Sequence, residues 1–441
     1  MVKLEVMPKY NSYRKSGEDW IGDVPAYWGV KSVKAVLQER IEKNDPIKTK
    51  NILSLCMYRG VIPYSEKGAS GNKAKDDLTA YRLAYPGDIV LNSMNVIAGS
   101  VGLSKYFGAV SPVYYMLRPR KDSDHVAFFN EIFQNEAFQK SLIGLGNGIL
   151  IKKSESSGKL NTIRMKIPMI KLNKVLLPCP PENEQLRILH FLRVKTAKIN
   201  EAIAIKEKQI ALLKEHKQII IQKAVTQGLN PDVSMKDSGV DWIGQIPEHW
   251  EARRVKHLFK LIVEPSEKNN SHELLSVYTD IGVKPRRELE ERGNKASTTD
   301  GYWFVKRGDI VVNKLLAWMG AIGISDYDGV TSPAYDILRP KVEMNGYFYH
   351  LLFRSSFCSS ELKRHSRGIM EMRLRLYFDK FGVIEVPFPP IEEQNEIINA
   401  LNKKLASVNG GIDLLNQQIG KLKEYRTTLI NHAVTGKIKV A

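Results

Sequence analysis

From about Glu182 to about Gln227 the chain holds neither proline nor glycine, and its apolar residues return every seven positions. One row is Leu192, Ile199, Lys206, Leu213 and Ile220; the row between is Leu189, Thr196, Ile203, Ile210, Lys217 and Ala224. The pattern recurs 209 positions later as Leu401, Val408, Leu415, Leu422 and Leu429, interleaved with Ile398, Leu405, Ile412, Ile419, Arg426 and Ala433. A heptad register kept over about five repeats predicts two long helices, each burying one seam of a left-handed coiled coil. A helix of about 45 residues spans roughly 65 to 70 Å. The Gly410-Gly411 pair weakens the second helix by about 1 kcal/mol per glycine relative to alanine, which packing has to offset. Lys206, Lys217 and Arg426 stand at seam positions. They either fix the register of pairing or carry their charges out to the rim.

The rest of the chain alternates short apolar runs with glycine. GDIVVN (Gly308 to Asn313) has the β-branched content of a short buried strand, with Gly308-Asp309 making a turn before it. VLLPCPP and IEVPFPP each predict a closing strand stopped by prolines. HVAFFNEIFQNEAFQKSLIG predicts one amphipathic helix, with Phe128, Ile132, Phe138 and Leu142 along its apolar side. The whole is an α+β pattern.

These elements are written twice. SGEDWIGDVPAYW (Ser16 to Trp28) returns as SGVDWIGQIPEHW (Ser238 to Trp250), 222 positions on. LSLCMYRGVIP at Leu53 matches LSVYTDIGVKP at Leu275, and PGDIVLN at Pro86 matches RGDIVVN at Arg307. SPVYYMLRP at Ser111 matches SPAYDILRP at Ser332, PPENEQ at Pro180 matches PPIEEQ at Pro389, and AVT at Ala224 matches AVT at Ala433. The copies diverge most between about 120 and 165 and between about 341 and 375, where the first carries about a dozen extra residues. A shared framework around unlike loops predicts one scaffold with two different recognition surfaces. The expected divisions are 1–179, 180–228, 229–388 and 389–441, the second and fourth being the long helices. Trp20 and Trp242, like Trp28 and Trp250, stand unchanged in both copies and are expected to serve packing.

Charge adds a partner class. The formal net charge is +18 and the pI about 9.5, which favours a polyanion over a basic surface kept for solubility. The three cysteines, Cys56, Cys179 and Cys358, are scattered, so neither a disulfide framework nor a zinc site is indicated, and a reduced cytoplasmic setting is expected. No apolar run reaches the roughly 18 residues of a membrane span, and the opening residues have no secretory h-region. Catalytic motifs fail: there is no phosphate-binding loop, no H-E-x-x-H and no [DN]-P-P-[FY]. The E-x-K triplets at Glu215 and Glu361 fall where helices are expected, and the nine histidines form no spaced cluster. These absences point to a binding protein.

The DWIG-x-[IV]-P-x-x-W phrase, the GDIV strand, the PP-x-x-EQ-x-x-I start of each long helix and the AVT near its end together resemble the specificity subunit of type I restriction–modification systems. The likeness covers nearly the whole chain, in that family's duplicated order. It implies two homologous mixed α/β target-recognition domains separated by two long helices, which form an antiparallel coiled coil with pseudo-two-fold symmetry. Each domain would read one half of a split, asymmetric double-stranded DNA site, and the helices would fix the spacer between the halves. The resemblance further implies two methyltransferase subunits and a restriction/translocase subunit as partners. S-adenosylmethionine, ATP and Mg are expected on those partners only, with no cofactor, metal or catalytic residue on this chain.

Base readout needs Arg, Lys, Asn or Gln on loops that reach a groove, and phosphate contacts need Lys and Arg. The candidates are Tyr58, Arg59, Asn92, Asn95, Lys152, Lys153 and Arg164 in the first copy, and Lys284, Arg286, Arg287, Asn313, Lys314, Arg367, Arg373 and Arg375 in the second. Each is alternatively a solvated or turn residue. RGIMEMRLR is favoured because its arginines lie in a divergent segment. Competing functions are a coiled-coil protein adaptor without sequence-selective DNA binding, a self-contained nuclease or methyltransferase, and a sequence-independent DNA binder.

Overall fold

The computed structural model of the chain describes residues 7–56, 59–68, 74–121, 123–147, 152–153, 160–161, 166–288, 299–369 and 373–440. The chain is mixed α/β with two long helices, Glu182–Gln227 and Ile391–Val434. It divides into two compact units, 1–205 with 417–441, and 206–416, so each long helix leaves one unit and enters the other.

In the first unit an antiparallel four-stranded sheet runs in the order Leu37–Arg40, Tyr114–Pro119, Ile89–Asn92, Val101–Leu103. In the second unit the order Phe259–Ile262, Tyr335–Pro340, Ile310–Asn313, Ile322–Ile324 has the same topology. The GDIV strand is internal in both and buried at every apolar position, which its β-branched run predicts. Its aspartate has a framework role. Asp88 binds Arg40 and Asp309 binds Arg339, each at 2.9 Å, and both carboxylates are almost fully buried. Gly87 and Gly308, just before them, adopt φ of 87° and 93°, the left-handed turn that glycine alone adopts readily.

The duplicated phrase builds one turn twice. Ser16 N–H bonds the Gly22 carbonyl at 3.1 Å and Ser238 N–H the Gly244 carbonyl at 3.0 Å. Trp28 and Trp250 are buried, and each indole N–H donates to a glutamate of a long helix, Glu184 at 3.0 Å and Glu393 at 2.8 Å. The neighbouring glutamine completes the motif. Gln185 Nε2 donates to the Pro180 carbonyl and Gln394 Nε2 to the Pro389 carbonyl, while their oxygens accept from His125 N–H and Asn345 N–H. The PP-x-x-EQ motif thus ties each helix start to its own unit. Trp20 and Trp242 pack edge-to-face on Phe138 and at a tilt on Phe357.

Where one amphipathic helix is predicted there are two, Val126–Phe133 and Glu136–Ser141. Asn135 causes the break by accepting from Ala137 N–H and Phe138 N–H, an N-cap bond stronger than continuing the helix through it. Phe128, Ile132, Phe138 and Leu142 are nonetheless all fully buried. The second unit repeats the break, with Ser355 capping between Gly346–Phe353 and Ser356–His365.

Every predicted seam position is buried or half-buried. In the first unit Leu192, Ile199, Ile203, Ile419, Leu422 and Leu429 are buried, with Leu189 half-buried. In the second Ile210, Ile398, Leu401 and Leu405 are buried, with Leu213, Ile220, Val408, Ile412 and Leu415 half-buried. Each fully buried Leu or Ile contributes roughly 1.5–3 kcal/mol. Within the second unit the helix segments run antiparallel: Leu213 lies near Gly411, Lys217 binds Asn409 at 3.0 Å, and Gly228 approaches Glu393. In the first unit Arg426 donates to Asn200 at 2.6 Å. Shifting by 209 turns Asn200 into Asn409 and Lys217 into Arg426, so one polar pair is written twice with the helices exchanging roles. These rim bonds are each worth on the order of 1 kcal/mol or less. A slip of one heptad would break them, so they favour register-setting over mere snorkelling.

The second long helix continues through Gly410 and Gly411, and a Cβ at Gly410 would meet open space. Gly410→Ala should therefore raise stability by about 1 kcal/mol, read as a higher urea midpoint with unchanged m-value; an unchanged or lower midpoint would contradict this account of the helix.

Candidate nucleic-acid interface

In each unit one strand, one turn and one hairpin are brought side by side. The strand Ile89–Asn92 ends on Asn92, whose Oδ1 accepts from Met94 N–H at 3.0 Å; Asn313 does the same with Leu315 N–H at 3.1 Å. This side-chain turn redirects the chain after the strand and accounts for an asparagine in both copies. Asn92 is half-buried and Asn313 buried. Asn95 stands exposed on the first unit's turn.

The divergent segment docks against that turn. In the second unit Arg367 and Arg375 form an antiparallel bridge, with N–H to O distances of 2.9 and 2.8 Å, and Leu376 N–H bonds the Lys314 carbonyl at 2.8 Å. In the first, Asn147 and Lys166 form the matching bridge, and Ile167 N–H bonds the Ser93 carbonyl at 2.9 Å. The inserted residues lie within the span that the Asn147–Lys166 bridge encloses, which includes the strands Lys152–Lys153 and Leu160–Asn161, paired antiparallel. The hairpin with its short span, 367 to 375, puts Arg367, Arg373 and Arg375 together, all exposed. Tyr58 and Arg164 lie outside the described residues, as do the side chains of Lys152 and Lys153.

The other candidates are spread out. Arg59 is exposed at the tip of the Leu53–Cys56/Gly60–Pro63 hairpin and reaches Glu66 at 3.6 Å. Lys314 turns inward: its ammonium is 3.3 Å from Asp336, donates to the Pro333 carbonyl and faces the Trp303 ring. Burial lifts the Asp336 carboxyl above its ordinary range, with Lys314 pulling the other way. Lys284 donates to Tyr327 Oη at 3.0 Å, a bond that raises its pKa, and Arg287 binds Glu273 at 3.1 Å. Arg286 and Arg287 follow the base of the Leu275–Tyr278/Gly282–Pro285 hairpin, at the opposite end from its tip.

Arg354, which carries no signal in the sequence, joins the two turns of the second unit. Its Nη1 donates to the carbonyls of Gly320 at 2.8 Å, Ile322 at 3.1 Å and Tyr278 at 3.3 Å, and Nη2 to Thr279 at 3.0 Å. One helical turn earlier His350 is wedged against Gly282 and Gly323, its Nδ1 accepting from Ile324 N–H at 3.2 Å. The first unit has Gln134 and Asn130 at these places. Burial, and then the charge of Arg354, push the His350 pKa down to about 4, against a pull upward from Asp326.

Among the described residues no group of three or more His, Cys, Asp or Glu is arranged to hold a metal ion, and no helix is long and apolar enough to cross a membrane. Cys179 and Cys358 are buried thiols, and burial lifts Cys179 to about 12.

The two units share one α/β sheet topology and differ in the segment docked beside a common turn. Comparison with known proteins agrees with the sequence resemblance. The chain is 22% identical, over the full length of both, to a protein of Methanocaldococcus jannaschii carrying the name type I restriction enzyme MjaX specificity subunit. It is 24% identical to the type I restriction enzyme MjaVIII specificity subunit of the same organism, over 66% of this chain and 69% of that one. A chain from a structure of type I R-M complex assembly and conformational transition shares the fold, with a TM-score of 0.66 at 14% identity, over 93% of this chain and 98% of that one. No protein-family model matches. The likeness to type I restriction enzyme specificity subunits therefore extends over the whole chain.

The unfolded chain binds a proton at His350 near pH 6.5 and the folded unit only near pH 4. Stability from the neutral imidazole is full above pH 6.5 and is lost as pH falls toward 4, by up to about 3 kcal/mol. His350→Asn should flatten the pH dependence of the urea midpoint in that window; an unaltered slope would show that His350 does not carry it.

Proposed function

We infer that the chain is the DNA sequence-specificity subunit of a type I restriction–modification complex. One observation carries this: the same scaffold occurs twice, with unlike hairpins docked beside an equivalent turn. The full-length relationship to specificity subunits and the +18 charge support it. Each α/β unit reads one half of a bipartite, asymmetric site. The seam residues of the two long helices form an antiparallel coiled coil with pseudo-two-fold symmetry, which sets the spacer and docks two methyltransferase subunits. A restriction/translocase subunit joins them, and S-adenosylmethionine, ATP and Mg belong to those partners. The chain itself supplies recognition without catalysis, in the cytoplasm.

Mapping methylated adenines in DNA from cells holding this chain and its partners tests the proposal, the expected result being a single two-part asymmetric motif. Binding that depends on salt but not on sequence would exclude it. Arg373→Ala should weaken cognate binding by about 1–3 kcal/mol through the second half-site, and equal affinity at fixed salt would remove Arg373 from the interface. One heptad inserted near Ile203 should change the tolerated spacer or abolish binding; an unaltered spacer would separate the helices from that role.

A further inference from the structure

The units carry opposite chemistry at matching positions. Arg59 and Asn95 are exposed in the first. Under the internal repeat these positions become Ile281 and Leu316. Ile281 is 44% and Leu316 39% exposed, beside Leu315 at 38% and Met319 at 51%. The counterparts of Leu315 and Met319 are Met94 and Ala98, both half-buried. A polar tip in one unit is thus an apolar tip in the other.

The apolar tip is held in place. Arg354 joins the turn carrying Ile281 to the turn carrying Met319. Trp318 donates its indole N–H to the Leu315 carbonyl at 3.1 Å and lies beneath Lys363. The bond from Leu376 N–H to Lys314 O fixes the tip beside the hairpin that bears Arg367, Arg373 and Arg375. Three exposed arginines next to an apolar tip suit a polyanion that also displays apolar groups. In the major groove the apolar group is the thymine C5-methyl. Asp280, exposed in the same turn as Ile281, is repelled by phosphate and suits a base edge, where a carboxylate accepts from the cytosine amino group.

Building on the function proposed above, we propose that the second unit reads its half-site through thymine methyl groups packed against Ile281, Leu315, Leu316 and Met319. The first unit reads its own half by hydrogen bonding from Arg59 and Asn95, the polar residues at the matching positions.

The test uses the chain assembled with its methyltransferase subunits, on duplexes carrying the motif defined by adenine mapping. Each thymine of the second half-site is replaced in turn by uracil, which pairs identically but lacks the methyl. At one or more positions affinity at fixed salt should fall about fivefold or more, comparable to losing a good base contact. In the variant carrying both Leu316→Ala and Met319→Ala, thymine and uracil should bind alike at those positions. Both side chains are exposed, and retained selectivity for the first half-site reports that the variant is folded. Uracil tolerated at every position, a second half-site without thymine, or full discrimination by the variant each overturns the inference while leaving specificity-subunit function intact. Loss of all sequence preference in the unaltered complex removes both. An apolar protein partner seated on the tip instead would give uracil tolerance, with Leu316→Ala weakening assembly rather than DNA binding.

Discussion

Apolar side chains repeating every seven residues along an isolated helix stay in water; they leave it only against a second helix with the same repeat. That constraint governs the molecule. Both long helices bury their heptad rows within each unit, and the polar pairs Asn200–Arg426 and Lys217–Asn409 stand where only one register satisfies them. Each helix is in turn fastened to a unit at its start, through Glu184 or Glu393 on a buried tryptophan and Gln185 or Gln394 on a proline carbonyl. Seam and fastening are one continuous piece of backbone, so the α/β unit is oriented by the helix it begins.

The motifs that recur in both copies are consumed by this framework. The DWIG phrase makes a turn and seats a tryptophan, the buried GDIV aspartate holds a half-buried arginine, and the asparagine ending the strand bends the chain. With those positions fixed by geometry, the copies differ most at the hairpin tips and in the segments that the Asn147–Lys166 and Arg367–Arg375 bridges enclose. Backbone hydrogen bonds close both bridges, so unlike insertions hang from an identical base without disturbing the sheet. This is how one scaffold comes to carry two surfaces of different chemistry, polar around Arg59 and Asn95 and apolar around Ile281 and Leu316.

The second unit adds a device of its own. The half-buried guanidinium of Arg354 stands where the first unit has Gln134 and binds four carbonyls at two turns. Four donated bonds tie the two turns together, so the side chains that they carry are held in place with less left to order on contact with a partner.

The seven-residue repeat marked both long helices, and the stretch without proline or glycine bounded the first at Glu182 and Gln227, because the repeat is a local property that only one kind of burial satisfies. The duplication likewise fixed which strands would match. What lay beyond the linear order needed the fold. Asn135 broke a helix that its apolar spacing favoured, since a cap bond depends on the side chain's local geometry rather than on hydropathy. Lys314, a DNA-contact candidate by residue type, turns inward to Asp336, a strand residue that lies 22 positions away. Arg354 could not be singled out, because the carbonyls that it binds come from two turns distant in sequence. Residue type and spacing determined the scaffold; which charges face a partner and which are consumed inside was decided only when antiparallel pairing brought remote segments within hydrogen-bond reach.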